Sequence, residues 1–227
     1  MLDKLVAAIS PAMEDFIVEI GPGEGALTGP LLEKVAKLEA IELDRDLASN
    51  LAATFPPWKL TVHCADALEF DFARFPAGMR LVGNLPYNVS TPLLFHLARF
   101  APRVRDMHFM LQLEVVERMV AKPSTTAYGR LSVSLQSKFD IKKLFKVAPG
   151  AFRPPPKVES AVVRMEPLAW ALPIDEDLLR KAFSARRKTL RNALPGIDFK
   201  AAGIDPGLRP ENLSPEDYAR LSIRSVT

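Results

Sequence analysis

The chain has 227 residues, 48% apolar and 25% charged, with a net charge of +3 and a sequence pI near 9.0. That length suits one ordinary domain plus a small one, and the composition is that of a folded globular protein rather than a disordered one. No apolar run approaches the roughly 18 residues of a membrane span, and Met1-Leu2-Asp3-Lys4 does not read as a secretory signal. A single cysteine excludes an internal disulfide, and three histidines argue against a zinc site. The cytoplasm is the expected compartment.

Taken in order, residues 3–10 have helical spacing and stop at Pro11. Phe16 to Ile20 reads as a buried strand, followed by a turn over Gly21-Pro22-Gly23-Glu24-Gly25 and a helix from Ala26 to Lys37. Leu38 to Glu42 is a second strand, followed by an acidic turn and a helix over 46–54. Leu60 to His63 is a third, running into Ala65-Asp66-Ala67, and Leu81-Val82-Gly83 is a fourth. A helix over 91–99, a strand at His108 to Leu111 and a helix over 113–121 continue the alternation. Such alternation predicts a parallel sheet with helices on both faces, an α/β fold. After Leu131 the rhythm changes. Phe139 to Val147 and Ser160 to Met165 read as two antiparallel strands, Pro167 to Pro173 as a linker, and the rest as helical. The expected division is a sheet domain over 1–168 and a helical domain over 169–227.

Three places at strand ends carry chemistry. Gly21-x-Gly23-x-x-Ala26, with Glu42 at the end of the next strand, satisfies a degenerate nucleotide-binding fingerprint. Glycines allow close backbone approach and an acid can hold ribose hydroxyls, so this motif alone leaves a dinucleotide and S-adenosylmethionine both open. Asp66 follows the third strand and can accept from an adenine amino group or cap a helix. Asn84-Leu85-Pro86-Tyr87 follows the fourth. The exocyclic nitrogen of adenine is a poor nucleophile because its lone pair is delocalised into the ring. The Asn84 carboxamide oxygen and the Leu85 carbonyl can accept its two N–H bonds and draw the lone pair out of conjugation. Pro86 fixes its own φ and restricts Leu85 to extended conformations, and Tyr87 offers a stacking face. Phe152, in a loop stiffened by Pro154-Pro155-Pro156, can close the other face of a base.

Charge is clustered. Lys138, Lys142, Lys143, Lys146, Arg153 and Lys157 stand against one acid, Asp140, and Arg180, Lys181, Arg186, Arg187, Lys188 and Arg191 against none. Beside a base-handling motif, two such clusters point to nucleic acid.

The chain closely resembles the bacterial small-subunit ribosomal RNA adenine dimethyltransferases. The resemblance rests on the runs EIGPGEG at 19–25, IELDRD at 41–46, ADA at 65–67, GNLPYN at 83–88 and DMHFMLQ at 106–112. It continues through YGRLS at 128–132, FRPPPKVES at 152–160, RRKTLRN at 186–192 and GIDP at 203–206. It implies a Rossmann-like S-adenosylmethionine methyltransferase sheet with a small all-helical C-terminal domain. It also implies two methyl transfers to the N6 of adjacent adenines in a small-subunit ribosomal RNA hairpin. By that resemblance Glu19, Gly21, Gly23, Glu42, Leu43, Asp66, Ala67 and Asn84 hold the cofactor, and Asn84, Leu85, Pro86, Tyr87 and Phe152 form the target-base site. Lys157, Arg186, Arg187, Lys188 and Arg191 are the expected RNA contacts, the partner is the immature small ribosomal subunit, and the protein is expected to be a monomer with no metal. Two departures from the family pattern stand out. Glu24 replaces a more usual leucine, and the family's basic arm, which lies over the cofactor, would precede Met1. On that reading the 227 residues alone bind cofactor weakly and transfer methyl groups poorly.

Overall fold

The computed structural model describes residues 1–151 and 157–224. By contact the chain divides into two units.

The first unit comprises Met1–Val116 and Lys142–Pro167. Its elements are α1 (Leu2–Ile9), β1 (Ile17–Ile20), α2 (Thr28–Leu32), β2 (Leu38–Glu42), α3 (Arg45–Thr54), β3 (Leu60–Cys64), β4 (Met79–Asn84), α4 (Ser90–Leu97), β5 (Val104–Gln112) and the start of α5 (Leu113–Met119). Seven strands form one sheet in the order β3-β2-β1-β4-β5-β7-β6, where β6 is Phe139–Val147 and β7 is Ser160–Pro167. The pairs from β3 to β5 are parallel, and β7 runs antiparallel to β5 with Met110 opposite Val162. Every residue of β1 and β2 is buried, the glutamates Glu19, Glu39 and Glu42 included, as in strands covered on both faces. Registers such as Ile20 beside Ile41 and Glu42 beside Cys64 bring the carboxyl ends of adjacent strands level. The order reverses beside β1, which is where open α/β sheets take their ligands. Leu5, Ile9, Leu31, Val35 and Leu51 pack helices against the sheet around Ile17, Leu38 and Val82.

The sequence-based elements hold in order, with shifts in extent. α1 ends at Ile9, because Ser10 takes a left-handed conformation (φ 49°) and donates its N–H to the Val6 carbonyl. The helix expected over Ala26–Lys37 is only Thr28–Leu32, because the chain turns early. Val35 is buried and the Ala36 N–H pairs with the Met13 carbonyl on the way into β2. β5 is nine residues long, longer than expected because its polar start is paired within the sheet. Asp44 caps α3 by accepting from the N–H groups of Asp46 and Leu47.

The second unit comprises Glu117–Ile141 and Leu168–Thr227. It contains the end of α5, α6 (Arg130–Gln136), α7 (Glu176–Ser184), α8 (Leu190–Ala193) and α9 (Pro215–Arg224). The division at Pro167/Leu168 lies one residue from the expected one, and Glu117–Ile141 groups with the helical unit. Glu117–Ile141 departs from the sheet unit because Tyr128 and Val133 bury with Leu178, Leu190, Leu213 and Tyr218. The Tyr128 hydroxyl donates to the Leu213 carbonyl at 2.8 Å and that of Tyr218 to the Pro210 carbonyl at 2.9 Å. Burial first, then nearby acids for Tyr128 and the Tyr128 phenol followed by nearby acids for Tyr218, raises both well above their ordinary range, so each stays a donor.

Candidate active site at the carboxyl ends of the strands

A cavity of about 920 Å³ opens at the carboxyl ends of β1 and β4. Its wall includes Glu19, Gly21, Gly23, Asn84, Leu85, Pro86 and Tyr87, with Met1, Leu2, Asp3 and Leu5 of the α1 region and Met110 of β5. The structure thus brings the glycine turn and the Asn84 loop, 61 to 63 positions apart in the chain, to one space.

The glycine turn is shaped by Gly21 (φ 66°) and Gly23 (φ 58°), conformations that residues with a Cβ rarely adopt. The Gly21 N–H continues the ladder to the Ile41 carbonyl at 2.9 Å. Glu42 then fixes the turn from the neighbouring strand. One of its oxygens accepts the Gly23 N–H and the other the Asp44 N–H, each at 3.0 Å. The side chain that the sequence suggests for ribose hydroxyls therefore also organises the loop.

Glu19 lies beneath the turn, buried, and accepts from the Thr28 hydroxyl at 2.7 Å. Burial pushes its carboxyl up to about 7, the Thr28 hydrogen bond opposes this, and the charge of Glu42 adds to it. Two acidic side chains at one glycine turn disfavour a polyanionic ligand there.

Asn84 ends β4 as an exposed residue, while Leu85 is buried and donates its N–H to the Met110 carbonyl at 3.1 Å. Ser90, the first residue of α4, donates its hydroxyl toward the carbonyls of Pro86 (3.1 Å) and Tyr87 (3.0 Å). The Leu85 carbonyl is not among its partners. The Tyr87 hydroxyl shares a hydrogen bond with Ser160 at 2.8 Å, which fixes the ring from β7. Sequence reasoning misses Ser90, Ser160 and Thr28, since a lone hydroxyl carries no spacing signal.

Glu42, Leu43, Asp66 and Ala67 stand outside the cavity wall, at the ends of β2 and β3. Leu43 is 65% exposed, a large apolar side chain left open beside Glu42. Asp66 accepts the Leu68 N–H at 2.8 Å, and the preceding Ala65 N–H meets the Glu42 carbonyl at 2.9 Å. Phe152 lies outside the described residues. Lys157 is exposed on the loop before β7.

In the second unit Arg187, Lys188 and Arg191 belong to the basic run, and Arg187, Lys188 and Arg191 are exposed. Arg186 has a different duty. It donates to the carbonyls of Thr126 (3.0 Å) and Tyr128 (2.9 Å) and lies 3.6 Å from the Glu211 carboxylate.

Comparison with known proteins gives the family and the fold. The family model for ribosomal RNA adenine dimethylases matches residues 1–225. The chain belongs to the ribosomal RNA adenine dimethylase family. It is 57% identical to the "Ribosomal RNA small subunit methyltransferase A" of Thiobacillus denitrificans over 237 aligned positions, covering all of this chain and 93% of that protein. It is 56% identical to the protein of the same name in Chromobacterium violaceum, covering 96% of this chain and 87% of that one. Among solved structures, a dimethyladenosine transferase from Plasmodium falciparum superposes with a TM-score of 0.79 at 27% identity, covering 97% of this chain and 93% of the other. The 23S rRNA methyltransferase ErmE superposes at 0.73 and 24% identity over all of this chain and 97% of its own, a likeness of fold.

Proposed function

We propose that the Asn84 loop presents the N6 amine of an adenine at the cavity that the glycine turn closes from the other side. The protein is an S-adenosylmethionine-dependent ribosomal RNA adenine N6,N6-dimethyltransferase acting on small-subunit RNA. The single observation that carries the site reading is that Asn84 and Gly21 to Gly23 line one cavity.

The donor set fits the cofactor. Left-handed Gly21 and Gly23 carry no side chain into the turn, Glu42 anchors it, and Glu19 beneath it accepts from Thr28. Gly21, Gly23 and Glu19 would hold its amino-acid end, Glu42 and Leu43 its ribose, and Asp66 with Ala67 its base. When bound, the cofactor supplies a methyl group activated by a sulfonium.

The chain's own groups do the rest by positioning. The Asn84 carboxamide oxygen and the Leu85 carbonyl accept the two N–H bonds of the target amine and turn its lone pair outward. Leu85 cannot swing away, since its side chain is buried and its N–H is tied to Met110. Ser90 occupies the next two carbonyls and so leaves that of Leu85 for the base. Tyr87 stacks on the base with its ring held by Ser160, an interaction worth about 1–3 kcal/mol per base. No general base is needed, because a methylated ammonium loses its proton readily to water. After the first transfer one N–H remains, and one of the two acceptors can hold it to orient the amine for the second.

A duplexed adenine cannot reach Asn84, so the target must be unstacked. Lys157, Arg187, Lys188 and Arg191 supply cations for phosphates. The reading extends to the immature small subunit as substrate and to a monomer as the working form. A ribosomal RNA substrate implies the cytoplasm in organisms like those relatives. No helix among the described residues is long and apolar enough to cross a membrane.

Offering undermethylated small subunits, large-subunit RNA and DNA of matching sequence in parallel, with labelled S-adenosylmethionine, tests the reading. Label is expected in the small-subunit RNA alone. Preference for either competitor would overturn it.

A further inference from the structure

Arg80 is a charged side chain in the middle of a buried sheet, only 4% exposed. It lies in β4, four residues before Asn84, at the opposite end of the strand from the cavity. Its Nε and Nη2 donate to the Asp106 carboxylate on β5 at 2.9 to 3.2 Å. Nη1 reaches Asp15 at 2.6 Å. The remaining hydrogen bonds go to the end of α1: Nη2 to the Ile9 carbonyl at 2.5 Å and Nη1 to the Ser10 carbonyl at 3.3 Å. Burial alone would raise the carboxyls of Asp15 and Asp106. Hydrogen bonds and the charge of Arg80, with Arg105 beside Asp15 and His108 beside Asp106, outweigh it and hold both below their usual values.

The helix explains why this matters. The last carbonyls of a helix lack intrahelical partners and carry partial negative charge, and α1 has no basic residue in its last turn. Arg80 is the missing cap, supplied from the sheet. α1 has eight residues, a rod of about 12 Å, and its other end lines the cavity through Met1, Leu2, Asp3 and Leu5. A buried ion network adds little stability over an apolar one of equal volume, so its value lies in what it fixes. Here it ties one end of a short helix to the strand that carries Asn84.

We propose that Arg80 is a positioning residue for the cofactor, acting through α1, which it clamps to the same strand that presents the target amine. The proposal rests on the cavity being the cofactor site. Lysine at this position cannot span two carboxylates and two carbonyls, so Arg80→Lys should loosen α1 without removing the charge. A triple variant, Arg80→Met with Asp15→Asn and Asp106→Asn, removes the clamp without leaving Arg80 or either carboxylate as a buried unpaired charge, since the Arg105 that loses Asp15 is 60% exposed, and guards against misfolding of the first.

The expected result in either variant is a rise in S-adenosylmethionine KM and S-adenosylhomocysteine Kd of about tenfold, the scale of coupling carried by a packed element between remote sites. The kcat and the KM for RNA should stay near those of the parent. In the unaltered protein, adding S-adenosylhomocysteine should slow hydrogen exchange at the Leu5 to Ser10 amides. Lower melting temperature with cofactor KM unchanged, or loss of kcat alone, would make Arg80 merely structural and overturn the proposal. So would exchange in α1 that ignores the ligand. Failure of the unaltered protein to bind S-adenosylhomocysteine at all would instead overturn the assignment of the cavity.

Discussion

Gly83 lies so close to Ile20 that a Cβ on it would stand 2.4 Å from the Ile20 carbonyl oxygen. β1 and β4 can therefore run side by side up to the cavity only because the residue before Asn84 has no side chain. Gly83→Ala must push β4 from β1 at the point where the glycine turn and the Asn84 loop diverge. The expected cost is about 1–3 kcal/mol, the usual penalty for overpacking a core, measured by urea unfolding. Methyl transfer should fall by more than the folded fraction does. Parental stability and rate together would mean that the strands have slack which the structure does not show.

Glu42 holds the Gly23 and Asp44 amides as well as offering an acceptor to a ligand. Glu42→Ala is expected to weaken S-adenosylmethionine binding roughly ten- to a hundredfold, since charge-assisted hydrogen bonds are worth about 1.5–3 kcal/mol. Glu42→Gln should recover part of this, because one oxygen can still accept a loop amide. Calorimetric affinity equal to that of the parent in the alanine variant would remove Glu42 from the site.

Glu19 gives a pH dependence of definite sign. Its carboxyl keeps its proton up to about 7 in the folded chain and loses it near its ordinary value of 4.5 when unfolded. Between those values the native state binds more protons, so this group lowers stability as pH rises. The penalty is complete above about pH 7 and is on the order of 3 kcal/mol. Glu19→Gln removes it. The stability gain of that variant should therefore grow from about pH 5 to 7 and level off by about pH 8, in unfolding series at fixed ionic strength. A gain independent of pH would show that Glu19 ionises normally in the native protein.

The basic cluster of the second unit divides by role. Arg186 is bound to the carbonyls of Thr126 and Tyr128, so reversing its charge should destabilise that unit. Arg187→Glu with Lys188→Glu should instead leave folding intact and weaken RNA binding. The salt slope should shrink by roughly 0.7–0.9 for each phosphate that the protein ceases to neutralise. An unchanged slope would place those side chains away from RNA.

Much of this is legible in the sequence, for identifiable reasons. Leu38 to Glu42 is legible as a strand from Leu38, Ala40 and Ile41, whereas the burial of Glu39 within it depends on its pairing with Lys37 and His63. Gly21, Gly23, Asn84 and Tyr87 can be named because their chemistry is local. The sequence conceals what depends on distant pairing. Arg80 and Asp106 look like surface charges until β4 and β5 lie side by side and each neutralises the other. Tyr128 and Val133 carry no mark that they belong with Leu178 and Tyr218 rather than with the sheet. The early end of α2 follows from where the chain must enter β2, not from the helical spacing of Ala26 to Lys37.

The central claim is that Asn84 aims the adenine amine, and it is tested most directly by comparing the unaltered protein with Asn84→Ala. Both would be given undermethylated small subunits and labelled S-adenosylmethionine, the RNA would be digested to nucleosides, and cofactor affinity would be measured alongside. The unaltered protein is expected to yield N6,N6-dimethyladenosine through the monomethyl form. Asn84→Ala is expected to bind the cofactor normally and yield neither. Dimethyladenosine formed by Asn84→Ala at the parental rate would contradict the account, as would methylation of any other atom by the unaltered protein.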